Sequence, residues 1–242
     1  MASFKQIFQV QKPIIGMIHL AGEGRKDIVE RALNELALYE KEGVDGAIIE
    51  DYHGGGLEEI EEVARKSLRL GMKIIRGVNY LIDPCKDFQI AERNGMKFVQ
   101  FDSVQPGDLD MRLYRELRLN YRISVLGGVR FKYTRDTGNP LENDLQEAIK
   151  ICEAIVTTGS GTGQETPIEK LREFRRLLGT FPLIVGAGVN AGNLHEQLKI
   201  CDGAIIGSYF KPNGNTNLPV DRNKVRELME IVRELRKEYA SS

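Results

Sequence analysis

Several polar side chains stand at or just beyond the ends of short apolar runs: His19, Glu50, Asp51, His53, Asn79, Asp83, Asp102, Arg130 and Lys132. Carboxylates, imidazoles and an amine gathered on one rim can transfer protons, because burial and neighbouring charge set their pKa values apart. Glu50, Lys132, Asp102 and His19 are the catalytic candidates on this reasoning. Glu50 and Asp51 adjoin, and alternate residues of a strand face opposite sides, so only one of them can face the interior. Lys132 suits anion binding or proton transfer better than a Schiff base, since the nearby acids favour its charged form. His19 and His53 each also fit the profile of a hydrogen-bonded rim residue. Glu50, Asp102, His19 and His53 could offer oxygen and nitrogen ligands to a divalent metal, but no His-X-His or His-Glu-X-X-His spacing supports one. No metal ligand is assigned, and no cofactor is predicted.

A second group of motifs is rich in glycine. GAGVNAGN (186–193) and GAIIGSYFK (203–211) are the pair of loops expected to hold a phosphate, through backbone amides left open by small residues. Gly186, Gly188, Asn190, Gly207 and Ser208 are the expected ligands. TTGSGTG (157–163) extends that cradle, forms a hinged lid, or is a plain turn. It is not a Walker loop, and the dinucleotide fingerprint is missing.

These residues need a scaffold that brings strand ends together. Apolar, β-branched runs at 13–20, 46–52, 73–80, 98–104, 123–132, 154–158, 182–189 and 203–210 alternate with segments of helical period at 27–42, 57–70, 83–94, 110–120, 143–150, 167–178, 193–199 and 221–239. Eight such units predict a single α/β domain over 1–242, a (β/α)8 TIM barrel whose C-terminal mouth collects the loops. Asp45, Glu153 and Asp202 precede similar Ala-Ile-[Ile/Val] strands, which puts them at the opposite, stabilising face.

Composition limits the partners. With 34 Lys plus Arg against 35 Asp plus Glu, the chain lacks the basic excess that nucleic acid requires. No stretch is apolar enough for a membrane span, and the three cysteines are too few and too scattered for a disulfide framework. The expectation is a cytoplasmic protein with a phosphorylated small molecule as its partner, compatible with a homo-oligomer. Glycine is plentiful, 25 against 8 prolines, and many of these glycines fall near the expected mouth, so backbone amides are expected to do much of the holding.

KPIIGMIHL from Lys12, GVDGAIIEDY from Gly43, IIRGVNYLIDP from Ile74, VTTGSGTG from Val156, VGAGVNAGN from Val185 and the block beginning DGAIIGSYFK at Asp202 together resemble the BtpA/SgcQ family. The resemblance implies a ribulose-phosphate-binding type of barrel. It maps the family's motif positions onto His19, Glu50, Asn79, Asp83, Thr158, Gly159, Thr162, Gly163, Gly186, Gly188, Asn193, Gly207, Ser208 and Lys211, with Lys132 matching a lysine after strand five. Asn79, Asp83, Thr158 and Gly159 thereby join the expected substrate or phosphate ligands. Departures such as EDYHGG and LIDP fall on strands two to four, where selectivity would lie. Within the family some members are linked to photosystem I biogenesis, and others sit with carbohydrate-uptake genes. The expected function is isomerase or lyase chemistry on a phosphorylated sugar or ribosyl compound. The alternatives are a non-catalytic biogenesis or assembly factor and a flavin-binding barrel, the last predicting a yellow protein.

Overall fold

In the computed structural model, which describes residues 1–240, eight parallel strands close into a barrel, each paired with the next and β8 with β1. They are β1 (Ile14–His19), β2 (Gly46–Glu50), β3 (Ile75–Asn79), β4 (Phe98–Phe101), β5 (Ser124–Gly128), β6 (Ala154–Thr157), β7 (Leu183–Val185) and β8 (Gly203–Ile206). A short helix α1 (Phe4–Ile7) precedes β1, and the helices α2 (Gly24–Glu42), α3 (Leu57–Arg69), α4 (Asp87–Arg93), α5 (Met111–Asn120), α6 (Leu141–Ala148), α7 (Ile168–Leu178), α8 (Leu194–Ile200) and α9 (Arg222–Ala240) follow the strands in turn. The (β/α)8 barrel read from the strand and helix periods is the architecture observed.

Every strand residue faces either the helices or the barrel interior. Ile15, Met17, Ile48, Phe98, Leu126 and Val156 belong to the cluster that fills the interior, so no channel runs through it. The same alternation carries His19, Glu50 and Asn79 to the upper end of that interior, side by side in register. Below, α1 plugs the barrel with buried Phe4, Ile7 and Phe8, and the Phe8 ring packs 5.6 Å from that of Phe98. This plug was not foreseen, although Ser3 and Gln6 form a capping box that marks a helix start in the sequence.

The acids ahead of β2, β6 and β8 do one job. Asp45 accepts from the Ile14 amide at 2.7 Å, Glu153 from Val125 at 2.6 Å and Asp202 from Leu183 at 2.9 Å. Each therefore ties the start of its own strand to the preceding one, and each is paired with an arginine, Arg236, Arg118 and Arg175 respectively. This is the stabilising role expected at that face.

Candidate active site

A narrow pocket opens at the C-terminal end of the barrel. Its two sides differ in chemistry. His19, Glu50, Gln100 and Lys132 stand on one side, and Gly186, Gly188, Gly207 and Ser208 on the other.

On the polar side, the Asn79 amide nitrogen donates to Glu50 Oε1 at 3.1 Å and to Asp102 Oδ1 at 3.0 Å, joining two carboxyl groups through one donor. Gln100 Nε2 donates to the same Asp102 oxygen at 3.1 Å. Burial, helped by the charge of Asp102, raises Glu50 to about 8, against the opposing pull of Lys132. Burial raises Asp102 as well, with Asn79 and Lys132 resisting. His19 Nε2 lies 3.7 Å from Glu50 Oε2, yet burial and the nearby Lys211 and Lys132 charges push the imidazole well below its ordinary value. A carboxyl that holds its proton, Glu50, a second carboxyl pushed upward, Asp102, and a neutral imidazole thus share one floor. His19 Nδ1, Asn79 Oδ1 and Gln100 Oε1 are buried with no hydrogen-bond partner among the described residues. Such atoms are costly in a finished core and are available to a ligand.

Lys132 lies four residues beyond the end of β5, not on a strand as its apolar surroundings suggested. The ladder stops because Val129 makes the last link to β6 and Arg130 takes a left-handed turn at φ 49°. The Lys132 amide donates to Thr158 Oγ1 at 2.6 Å, and its ammonium lies 5.2 Å over the Phe131 ring with no carboxylate within ion-pair distance among the described residues. Arg130 faces away and bonds Asp136 and buried Asp144.

The glycines of the opposite side have a reason within the protein. A Cβ on Gly207 would stand 2.7 Å from the His19 ring, and one on Gly188, at φ 70°, would meet the Glu165 backbone at 2.3 Å. They let the loops after β6, β7 and β8 close on one another. The amides of Gly188 and Ser208 take no part in the loop and turn hydrogen bonds among the described residues, and both residues line the pocket. The loop after β6 crosses the mouth, and Thr162 meets the Tyr52 hydroxyl at 3.0 Å through its side chain and the Tyr133 hydroxyl at 3.1 Å through its amide.

Of the residues expected at the site, His19, Glu50, Lys132, Gly186, Gly188, Gly207 and Ser208 line the pocket, and Asp102 is tied to it through Asn79. Asn190 lines an outer chamber instead. Asp83 does not reach the pocket, because it ends the β3 loop and faces Lys86 at 3.7 Å. Thr158 and Gly159 are buried within the rim, the Thr158 hydroxyl donating to the Gly159 carbonyl. Asp51 turns outward to accept from the Leu81 amide, leaving Glu50 as the inward carboxyl of the pair. His53 meets Thr216 at 2.6 Å. Lys211, matched to a family position, is fully buried against Glu35 at 2.8 Å. Gln100 on β4 was missed, although it stands two residues before Asp102, which lies just past the strand's end and accepts its hydrogen bond. No group of three or more His, Cys, Asp or Glu side chains among the described residues is placed to hold a metal ion.

Comparison with known proteins agrees with this architecture. Phosphoribosyl anthranilate isomerase from Thermococcus kodakaraensis superposes with a TM-score of 0.63 at 17% identity, covering 92% of this chain and 99% of that one, a likeness of fold. The photosystem I biogenesis protein BtpA of Synechocystis sp. is 24% identical over 95% of this chain and 91% of its own. The putative sgc region protein SgcQ of Escherichia coli is 25% identical over 98% and 100%. The BtpA family pattern matches residues 10–234, and the chain belongs to the BtpA family.

Proposed function

We propose that this protein is an enzyme acting on a small phosphorylated sugar or ribosyl compound by proton transfer, of the isomerase or lyase type. The carrying observation is that one pocket sets Glu50, His19 and Lys132 against the backbone amides of Gly188 and Ser208. Amides aimed at an anion hold a phosphate without a mobile side chain, which leaves the carboxyl and amine groups for the carbon skeleton. Glu50, protonated below about pH 8, gives its proton to an oxygen that gains negative charge, while neutral His19 and the Lys132 ammonium polarise the same centre. Asn79 and Gln100 hold Asp102 and Glu50 in place. The name of the Thermococcus structural neighbour, an isomerase of a phosphoribosyl compound, supports the substrate class by analogy of fold.

The test is a thermal-shift screen of sugar phosphates, followed by turnover of the hit by wild type and Glu50→Gln. Stabilisation by a phosphorylated sugar but not by its unphosphorylated parent, with turnover lowered at least a hundredfold in the variant, is expected. Equal stabilisation by both sugars contradicts the phosphate half, and undiminished turnover contradicts the role of Glu50. The name of the Synechocystis relative favours a second reading, a non-catalytic assembly factor. That reading predicts full biological activity in a Glu50→Gln/Lys132→Met double variant.

A further inference from the structure

The inner pocket does not end at its glycine wall. An outer chamber continues from it between the loops after β6, β7 and β8, and Gly163, Gly188 and Ser208 line both spaces. The charge on the two sides of this waist differs. The inner side holds Glu50, next to Asp102, together with Lys132. Among the lining residues of the outer chamber the one charged side chain is Lys224.

Lys224 is placed against local preference. It lies in the first turn of α9, a helix of 19 residues whose first turn carries no acid, and the Asp221 carboxylate just before the helix is engaged by the Asn223 amide at 2.9 Å. Arg222 in that turn is neutralised by Glu42. Lys224 has no carboxylate within ion-pair distance among the described residues, and its ammonium is held by the Lys211 carbonyl at 3.0 Å and lies 5.4 Å over the Tyr209 ring. Glu227, the acid near this group, is turned to the Tyr209 hydroxyl at 3.4 Å. A half-buried lysine with no ion-pair partner in the first turn of a helix goes against a rule of helix design, and such breaks concentrate at functional sites.

We infer that Lys224 supplies the charge that holds the ligand's phosphate monoester on the outer side of the Gly163–Gly188–Ser208 waist, with the carbon skeleton directed inward to Glu50. This inference rests on the sugar-phosphate reading above and adds to it an orientation and a cation. The phosphate is kept away from the Glu50 and Asp102 carboxyls, which would repel it once ionised. Backbone amides then meet it on one side and an ammonium on the other, the pairing that makes charge-assisted hydrogen bonds strong.

The experiment is a titration of the full chain with inorganic phosphate, followed by thermal denaturation at constant ionic strength with chloride as reference. Lys224→Met is expected to weaken phosphate binding about tenfold, and Lys224→Arg to stay within about threefold of wild type. Lys150→Met, which removes the same charge from a surface pair with Glu147, leaves binding unchanged. Denaturation in chloride alone separates any loss of fold from loss of binding, and Lys224→Gln repeats the test should the methionine variant not fold. Phosphate binding undiminished in Lys224→Met and Lys224→Gln overturns the inference while the phosphate site stands. A wild type that does not distinguish phosphate from chloride overturns the sugar-phosphate reading and this inference with it.

Discussion

His19 Nε2 and Glu50 Oε2 stand 3.7 Å apart in the floor of the pocket, and near neutral pH neither carries a charge. Their proximity is therefore no ordinary ion pair. Burial outweighs mutual attraction in both groups, the acid holding its proton and the imidazole staying without one.

The first consequence is a pH dependence of stability. The folded Glu50 carboxyl titrates near 8, against an ordinary value of 4.5. Between those values the unfolded chain has released the proton that the folded chain retains, so Glu50 makes stability fall as pH rises through this window. Urea midpoints for wild type and Glu50→Gln at pH 5 and pH 8.5 measure it. The variant should gain on the order of 3 kcal/mol relative to wild type between the two. Parallel pH profiles would mean that Glu50 ionises normally.

Asn79 gives a second prediction. Its amide nitrogen bonds both Glu50 and Asp102, and Asn79→Ala removes both bonds from a buried site. Unfolding free energy should drop by about 2–3 kcal/mol in urea. The Glu50 titration, followed by carboxyl NMR shifts, should move upward, because the bond from Asn79 holds it down. An unchanged titration would show that Asn79 does not control the pair.

Lys211 separates a structural lysine from a ligand lysine. It is fully buried and donates to Glu35, which also accepts from the Val220 amide and anchors the β8 loop on α2. Lys211→Met leaves the buried Glu35 with Arg31, at 3.3 Å, as its remaining counter-charge, and should cost about 2–3 kcal/mol in unfolding free energy. A Lys211→Met protein of normal stability that no longer binds phosphate would place this lysine in the site instead.

The tyrosines that meet Thr162 define how the mouth is held. Tyr52→Phe/Tyr133→Phe should speed amide exchange across residues 159–164 severalfold and leave the global unfolding midpoint nearly unchanged, since only loop contacts are lost. Unaltered exchange in this segment would show that the hydroxyls do not restrain the loop.

Much of this arrangement is legible in the sequence. The eight apolar runs mark the barrel, and period-two alternation from the interior residues Met17 and Ile48 already aims His19 and Glu50 at its mouth. Contacts far apart in the chain were not legible. Lys211 meets Glu35 across 176 residues and Thr162 meets Tyr52 across 110, and no local pattern encodes either pairing. Asp83 misled because a loop residue three or four places past a strand end carries no fixed direction. The glycine loops combined two causes in one signal. Gly207 makes room for His19, while the neighbouring Ser208 amide takes no part in the turn's hydrogen bonds among the described residues, and composition alone cannot separate close packing from ligand approach. Gln100 carried a usable signal, its spacing from Asp102, that a search for ionisable residues passes over.

The most direct test of a phosphate held by backbone amides opposite a proton-transfer centre is a crystal structure determined with inorganic phosphate. An anion within hydrogen-bond distance of the Gly188 and Ser208 amides, with Glu50 and Lys132 on the far side of the pocket, is the predicted result. Crystals in which this pocket is open to solvent and phosphate binds elsewhere, or not at all, would contradict it.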